Sequence, residues 1–255
     1  MTNSPPSTQQ VPGTDQAAAR ARGEPSGWAA GLVIAVDGPA GSGKSSAARG
    51  VARALGLRYL DTGAMYRALT WWLLDHGVDA EDSGAVLASF RGAVIEIGTD
   101  PRAPRIIAGG QDVAGPIRGR TVSNAVSAVA ALPEVRQALI AQQRQLIAEA
   151  VEAGTGIVAE GRDIGSVVAP DAEVKVFLTA SEVIRARRRS ADLAADPQAT
   201  AEVTRREQAR RDRRDAPQMA RAADAVEIDT SALDLDQVIA AIVELARSRQ
   251  AVRRG

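Results

Sequence analysis

The sequence predicts a three-layer α/β fold built on a parallel sheet of about five strands. Short apolar runs alternate with segments of helical potential along most of the 255 residues, and this alternation is typical of a parallel sheet with helices on both faces. One of the turns between a strand and a helix, at residues 38–45, has the pattern G-x-x-x-x-G-K-[ST]. Ligands of such sheets bind beyond the carboxyl ends of the strands. The charged turns at those ends therefore form the candidate site.

The turn at residues 38–45 reads Gly-Pro-Ala-Gly-Ser-Gly-Lys-Ser and predicts a phosphate-binding loop. An apolar strand over 32–36 precedes it and a helix over 46–55 follows, which is the context that the motif requires. Glycines let backbone N–H groups converge on phosphate oxygens, and the helix N-terminus adds positive potential. Lys44 would place a compact charge at the outer phosphates, and the Ser45 hydroxyl can ligate Mg²⁺. The candidate nucleotide-binding residues are Gly38, Pro39, Ala40, Gly41, Ser42, Gly43, Lys44, Ser45 and Ser46.

The remaining segments are assigned from their apolar periodicity and their turn residues. In chain order they are a strand over 58–60, a turn over 61–63, a helix over 64–75, an insert over 93–118, a connector over 121–131, a helix over 134–153, strands over 157–159 and 174–178, a helix from about 181, a strand over 226–229 and a helix over 235–247. The insert holds short strand-like runs separated by tight turns, which predicts a small antiparallel sheet. Residues 1–30 lack periodicity and apolar mass and are predicted to be a disordered tail, so that 31–255 forms the domain.

Composition excludes several kinds of site. The chain has no cysteine, so disulfides, thiolate zinc sites and cysteine nucleophiles are absent, and the single histidine, His76, argues against a histidine-based triad. The 31 basic and 31 acidic residues balance, which points to neither nucleic acid nor an acidic membrane surface as a partner. No apolar run approaches the ~18–20 residues of a membrane span. We expect a cytoplasmic protein without a signal pattern.

An arginine-rich span over 185–214 holds ten arginines and five acidic residues. Phosphoryl transfer between two anionic substrates needs arginines to hold the acceptor phosphate and to neutralise the transferring group. The span could also be a solvated helical hairpin or a nucleic-acid patch, although it lacks the aromatic residues that stack on single strands. The sequence has no guanine-reading Asn-Lys-x-Asp and no apolar run ending in Asp-Glu. These observations favour a small-molecule kinase with a phosphate-clamping lid over a GTPase or a motor ATPase.

Three motifs together resemble bacterial cytidylate kinases. They are IAVDGPAGSGKS at 34–45, LDTGAMYR at 60–67 and EGRDIGSVV at 160–168. The resemblance runs from about residue 32 to the C-terminus. It implies a P-loop nucleoside monophosphate kinase fold with a core, an acceptor-binding region over 61–135 that includes the insert at 93–118, and a mobile lid over 185–221. It further implies ATP- and Mg²⁺-dependent phosphorylation of CMP and dCMP to CDP and dCDP. We expect a monomer without a nucleic-acid or membrane partner.

The resemblance also implies roles for individual residues. The positions that match catalytic residues are Lys44, Arg162, Arg188 (or its neighbour Arg189) and Arg211, with Ser45 on the metal. The positions that match acceptor-binding residues are Thr62, Arg67, Ser127, Arg136, Arg162, Asp163, Arg211 and Asp215. Among these, Arg67 and Arg136 would reach the acceptor phosphate and Asp215 the ribose. Arg162 and Asp163 would read cytosine, because a carboxylate accepts from its amino group and a guanidinium donates to its acceptors.

Two positions depart from the family pattern. The lid is shortened after Asp215, so that one arginine of the family is missing, and Arg214 or Arg221 is a candidate to replace it. Glu160 stands where many relatives have aspartate, which keeps the charge but lengthens the side chain near the expected Mg²⁺.

Three alternatives remain at the level of the sequence. The acceptor could be another nucleotide such as UMP or AMP. The arginine-rich span could make the chain a P-loop ATPase that nucleic acid stimulates. The shortened lid could also have removed catalysis and left a nucleotide-binding protein.

Overall fold

The computed structural model describes residues 31–192 and 200–254, and the predicted tail lies outside them. The strands are β1 (Val33–Asp37), β2 (Arg58–Asp61), β3 (Ile95–Ile97), β4 (Ile106–Ala108), β5 (Gln111–Asp112), β6 (Ile157–Glu160), β7 (Val174–Thr179) and β8 (Val226–Asp229). Five of them form a parallel sheet in the order β2-β6-β1-β7-β8. Val36 pairs with Glu160 on one side and Val176 on the other, so the carboxyl ends of three strands lie side by side. The predicted fold class is confirmed.

The helices are α1 (Lys44–Leu55), α2 (Thr62–Asp75), α3 (Ser83–Ser89), α4 (Arg120–Ala130), α5 (Pro133–Glu152), α6 (Glu182–Asp192), α7 (Ala201–Asp215) and α8 (Leu235–Arg254). A single π-helical turn covers Ile164–Val168. Within the ranges 31–192 and 200–254, no helix is both long enough and apolar enough to span a membrane.

Helix α4 corrects the prediction of a connector over 121–131. Its sequence, RTVSNAVSAVA, is rich in valine, serine and threonine, which have only modest helix propensity. Val122, Val126 and Val129 nevertheless recur on one helical face and are buried. Burial of that face outweighs the weak propensity, because most helix stability in proteins comes from tertiary packing. The short helix α3 was also missed; Asp82 caps it by accepting from the Ala85 N–H at 3.0 Å.

Two apolar clusters cover the two faces of the parallel sheet. Alternate residues of β1 point to opposite faces, with Ala35 in one cluster and Ile34 in the other. On the first face lie α2, α5 and the insert, and Met65 and Leu73 of α2 are fully buried there. On the second face α1 packs against α8. This arrangement gives the three layers.

The insert forms the second sheet, in which β3, β4 and β5 pair antiparallel in that order. The Tyr59 N–H on the edge strand β2 donates to the carbonyl of Thr99 at 2.9 Å. The insert therefore covers the open edge of the main sheet next to the start of α2, and the predicted small antiparallel sheet is confirmed.

Candidate active site

The phosphate-loop motif occupies the turn between β1 and α1, at the carboxyl end of the parallel sheet. Gly38 has φ 143°, and a Cβ built there would lie 2.1 Å from the carbonyl oxygen of Leu178. Only glycine lets the chain pass so close to β7. At the other end of the loop, Gly43 has φ 91° and begins α1 without a side-chain cap. The first N–H groups of α1 are therefore directed at a place where an anion can bind.

The Lys44 side chain lies over the loop. Its Nζ donates to the carbonyl oxygen of Pro39 at 2.7 Å. Burial, and then the nearby charge of Arg162, lower the pKa of Lys44. An anion in the loop would offset both effects, since it favours the protonated ammonium. The position and charge of Lys44 thus fit a group that contacts phosphate oxygens.

Glu160 connects the loop to the end of β6. Its Oε2 accepts from the Ser45 hydroxyl at 3.0 Å, and its Oε1 accepts from the Tyr59 hydroxyl at 2.5 Å. Burial, and then the neighbouring Asp61, raise the pKa of Glu160. One hydroxyl and one carboxylate form an all-oxygen donor set, which fits Mg²⁺, an ion that takes its other ligands from water and substrate phosphates. The longer side chain at position 160 still reaches the loop serine.

Four arginines face a common space beside the loop, and we call Arg67, Arg162, Arg189 and Arg211 the guanidinium cluster. Burial and then the charges of Arg211 and Arg189 lower the pKa of Arg67 well below its ordinary value. Burial and Arg162 lower the pKa of Arg211 to about 10. Each guanidinium charge therefore makes the charged form of its neighbours less favourable. Such a cluster favours an anionic ligand, since a bound anion would relieve this repulsion.

Hydrogen bonds hold three members of the cluster in place. Arg67 Nη1 donates to the Ser123 hydroxyl at 2.8 Å, and Arg189 Nη2 donates to the same oxygen at 2.7 Å. Arg162 Nη1 donates to the carbonyl oxygen of Gly38 at 3.2 Å, at the first residue of the loop. Within the described residues, the buried Nε of Arg211 has no hydrogen-bond partner and lies 3.4 Å from Asp215. The Nε is thus a buried donor that a phosphate oxygen could satisfy.

The predicted acceptor residues gather on the far side of the cluster. Asp215 accepts from the Ser127 hydroxyl at 2.7 Å and contacts Arg162 Nη2 at 2.6 Å, which ties the last residue of α7 to α4 and to the turn after β6. Asp163 pairs with Arg136 rather than with the adjacent Arg162. The turn after β6 thus presents Arg162 to the phosphate side and Asp163 to the helix α5. The remaining acceptor candidate, Thr62, donates its hydroxyl to the Glu160 carbonyl oxygen at 2.7 Å.

The candidates for the missing lid arginine lie elsewhere. Arg214 contacts Glu81 at 2.7 Å, and Arg221 contacts Glu227; all four side chains are substantially exposed. Neither arginine reaches the guanidinium cluster through these contacts, so the suggestion that one of them replaces the lost residue is not supported. Arg189 is the cluster member that the sequence left as an alternative to Arg188.

Asp37, the last residue of β1, is a further site residue that the sequence reasoning did not single out. Its two carboxylate oxygens accept from the N–H groups of Ile164 and Gly165, each at 2.8 Å, and the side chain is 4% exposed. Asp37 therefore holds the turn that carries Arg162 and Asp163. The only signal in the sequence was an acidic residue directly after the predicted apolar strand over 32–36.

The ionisation of Asp37 is expected to make stability depend on pH. Burial raises its pKa from 3.8 to about 6. A carboxyl with a raised pKa in the folded state contributes stability that is fully present below pH 3.8 and lost as the pH rises through 6; for this shift the effect is at most about 3 kcal/mol. Urea unfolding from pH 4.5 to 8 gives the free energy of unfolding of the wild type and of Asp37→Asn. The wild-type value minus the variant value should fall up to about pH 7 and then level off. A difference that stays constant or grows with pH would contradict this assignment.

Comparison with known proteins identifies the family. The cytidylate kinase family model matches residues 34–248. The chain is 50% identical over 222 residues to a cytidylate kinase of Streptomyces coelicolor, covering 86% of this chain and 94% of the relative. It is 49% identical over 223 residues to the enzyme of Streptomyces avermitilis, covering 87% and 95%. It is 48% identical over 232 residues to that of Mycobacterium avium, covering 88% and 99%. With the family model matching most of its length, the chain belongs to the cytidylate kinase family.

Proposed function

We propose that this kinase transfers the γ-phosphoryl group of ATP to CMP and dCMP, forming CDP and dCDP. The observation that carries the proposal is the guanidinium cluster, which lies between the phosphate loop and the Asp163–Arg136 pair. A cluster in that place suits the phosphates of two nucleotides that meet end to end. The proposal also takes the enzyme to be a monomer of the cytoplasm.

On the donor side, the loop N–H groups and Lys44 would hold the β- and γ-phosphates of ATP. Ser45 would ligate Mg²⁺, with Glu160 keeping the serine hydroxyl in place. When bound, Mg²⁺ would neutralise phosphate charge and orient the phosphate oxygens. Lys44 would leave the carbonyl of Pro39 and donate to a phosphate oxygen instead.

On the acceptor side, Arg67, Arg162 and Arg211 would hold the phosphate of CMP and stabilise the charge of the transferring group. The chemistry is a direct in-line displacement, in which an oxygen of the acceptor phosphate attacks and ADP leaves. It needs no covalent intermediate with the enzyme, so positioning and charge neutralisation supply the rate enhancement. Closure of the lid helices would exclude water and suppress hydrolysis of ATP.

Base selection would belong to Asp163 with Arg136. A carboxylate accepts from the amino group of cytosine, and the guanidinium donates to the ring acceptors, whereas uracil offers a carbonyl where cytosine has the amino group. The family resemblance assigned Arg162 to cytosine and Arg136 to the acceptor phosphate, and the proposal exchanges these two roles. Arg162 contacts Gly38 and Asp215 near the loop, which favours a phosphate role, and Arg136 contacts Asp163.

An assay of four acceptors tests the proposal. With ATP and Mg²⁺ at saturation, initial rates for CMP and dCMP should exceed those for UMP and AMP by at least an order of magnitude, because a site built to hydrogen-bond one base rejects another strongly. A strong preference for UMP or AMP would overturn the choice of substrate. ATP hydrolysis that depends on added RNA or DNA, without any nucleotide acceptor, would instead support a nucleic-acid-stimulated ATPase.

A further inference from the structure

Thr230, the first residue after β8, is almost completely buried, with 1% of its surface exposed. Its backbone N–H donates to the carbonyl of Thr179 at 2.8 Å, which continues the parallel pairing of β7 and β8 at their carboxyl ends. Its hydroxyl lies 3.0 Å from the same Thr179 carbonyl and 3.0 Å from the carbonyl of Ser42 in the phosphate loop. A side chain far away in sequence thus contacts the backbone of the loop.

The same residue holds Arg188 of α6. Arg188 Nη1 donates to the Thr230 hydroxyl at 2.9 Å, and Nη2 donates to its carbonyl oxygen at 2.8 Å. A hydroxyl has one proton and two lone pairs, so it can donate to Ser42 while it accepts from Arg188. The paired donors of the guanidinium fix its orientation as well as its position.

This double contact places Arg188 at the loop. A Cβ built on Gly43 would lie 3.7 Å from Arg188 Nη1, so the guanidinium stands beside the last glycine before Lys44. The guanidinium cluster, in contrast, gathers around Ser123 and Asp215. The neighbouring residues Arg188 and Arg189 therefore lie in different parts of the site. Arg188 lies beside the phosphate loop, and Arg189 lies in the guanidinium cluster.

We propose that Thr230 is a positioning residue that sets the Arg188 guanidinium against the phosphate loop, so that Arg188 acts on the donor phosphates of ATP. The inference rests on the proposed function in that ATP is the donor. The hydroxyl is not needed to pair the ends of β7 and β8, since the Thr230 backbone N–H already bonds to Thr179. What the hydroxyl adds is the link between the loop carbonyl and a lid arginine.

Two substitutions of Thr230 separate positioning from packing. Thr230→Val keeps the shape and removes the hydroxyl, while Thr230→Ser keeps the hydroxyl. The valine variant should raise the KM for ATP and the Kd for ATP about tenfold, the order of magnitude expected when a charged group loses a hydrogen-bond partner. The KM for CMP and the ratio of CMP to UMP activity should change less than threefold. The serine variant should stay within threefold of the wild type throughout.

A double-mutant cycle with Arg188→Gln tests whether Thr230 acts through the arginine. In the Arg188→Gln background, adding Thr230→Val should change ATP affinity less than twofold, because coupled residues are not additive. The same tenfold loss in both backgrounds would overturn the proposal, as would equal weakening of ATP and CMP. If the valine variant does not fold, Thr230→Ala enters the same cycle. Calorimetric binding of ATP without an acceptor keeps this test separate from the choice of CMP as substrate.

Discussion

Replacement of Lys44 with alanine is expected to lower kcat for CMP phosphorylation by at least about three orders of magnitude, comparable to the loss of a single charged group in other phosphoryl-transfer sites. The ammonium lies at the start of α1, and in the proposed reaction it would have to leave only the carbonyl of Pro39 to reach the transferring phosphoryl group, where charge would develop. Steady-state rates with CMP and Mg²⁺-ATP at saturation measure the effect. The KM values should change much less than kcat, because the contact strengthens in the transition state.

Stability should not account for this loss. Burial and the charge of Arg162 both lower the pKa of Lys44, so the folded protein gains little from the ammonium in the absence of a phosphate. Lys44→Ala should therefore unfold at the same temperature as the wild type or above it, as is common when a strained functional residue is removed.

The chain offers a matched control in Lys175, its only other lysine. Lys175 contacts the exposed Asp224 at 2.9 Å, and the two residues belong to neither the loop nor the guanidinium cluster. Lys175→Ala should keep kcat within about twofold, since the Lys175–Asp224 pair holds no residue of the loop or the cluster. A Lys44→Ala enzyme with more than a tenth of wild-type kcat would contradict the role assigned to the loop lysine.

The parts of the fold that the sequence predicted correctly are those set by local pattern. The loop motif, the alternation of strands and helices, and the tight turns of the insert each depend on residues close together in the chain. Helix α4 was missed because its propensity is weak and its helical form depends on burial of Val122 and Val126 against distant elements. The local sequence pattern was therefore not enough to predict helix α4.

The candidate site shows the same contrast between residues marked by local motifs and residues defined by distant contacts. Motif spacing singled out Lys44 and Asp163 as candidates, since their neighbours in sequence carry the signal. Asp37 accepts hydrogen bonds from N–H groups 127 and 128 residues away, and the Thr230 hydroxyl contacts a carbonyl 188 residues away. Neither pairing leaves a pattern in one sequence. The choice between Arg188 and Arg189 likewise depended on which way each side chain of α6 points.

Asp163→Ala is expected to lower the ratio of kcat/KM for CMP to that for UMP by about two orders of magnitude. In the proposed function this carboxylate would distinguish the amino group of cytosine from the carbonyl of uracil, and losing a buried hydrogen-bond partner of this kind removes most of such discrimination. The loss should fall mainly on CMP, while UMP turnover stays nearly constant or rises, since an unfavourable contact between two acceptors disappears. Initial rates across both acceptors in the same preparation provide the ratio.

The ratio of CMP to UMP activity is insensitive to a loss of stability, which is the main side effect of Asp163→Ala. Removing Asp163 leaves Arg136 without its ionic partner in a largely buried place, so the variant should be less stable than the wild type. Partial unfolding lowers the rates with both acceptors by the same factor, which cancels when one is divided by the other. Asp224→Ala, at an exposed carboxylate, should leave the ratio unchanged. An Asp163→Ala enzyme that still separates CMP from UMP as the wild type does would move base selection to other residues, and Arg136 would be the first to test.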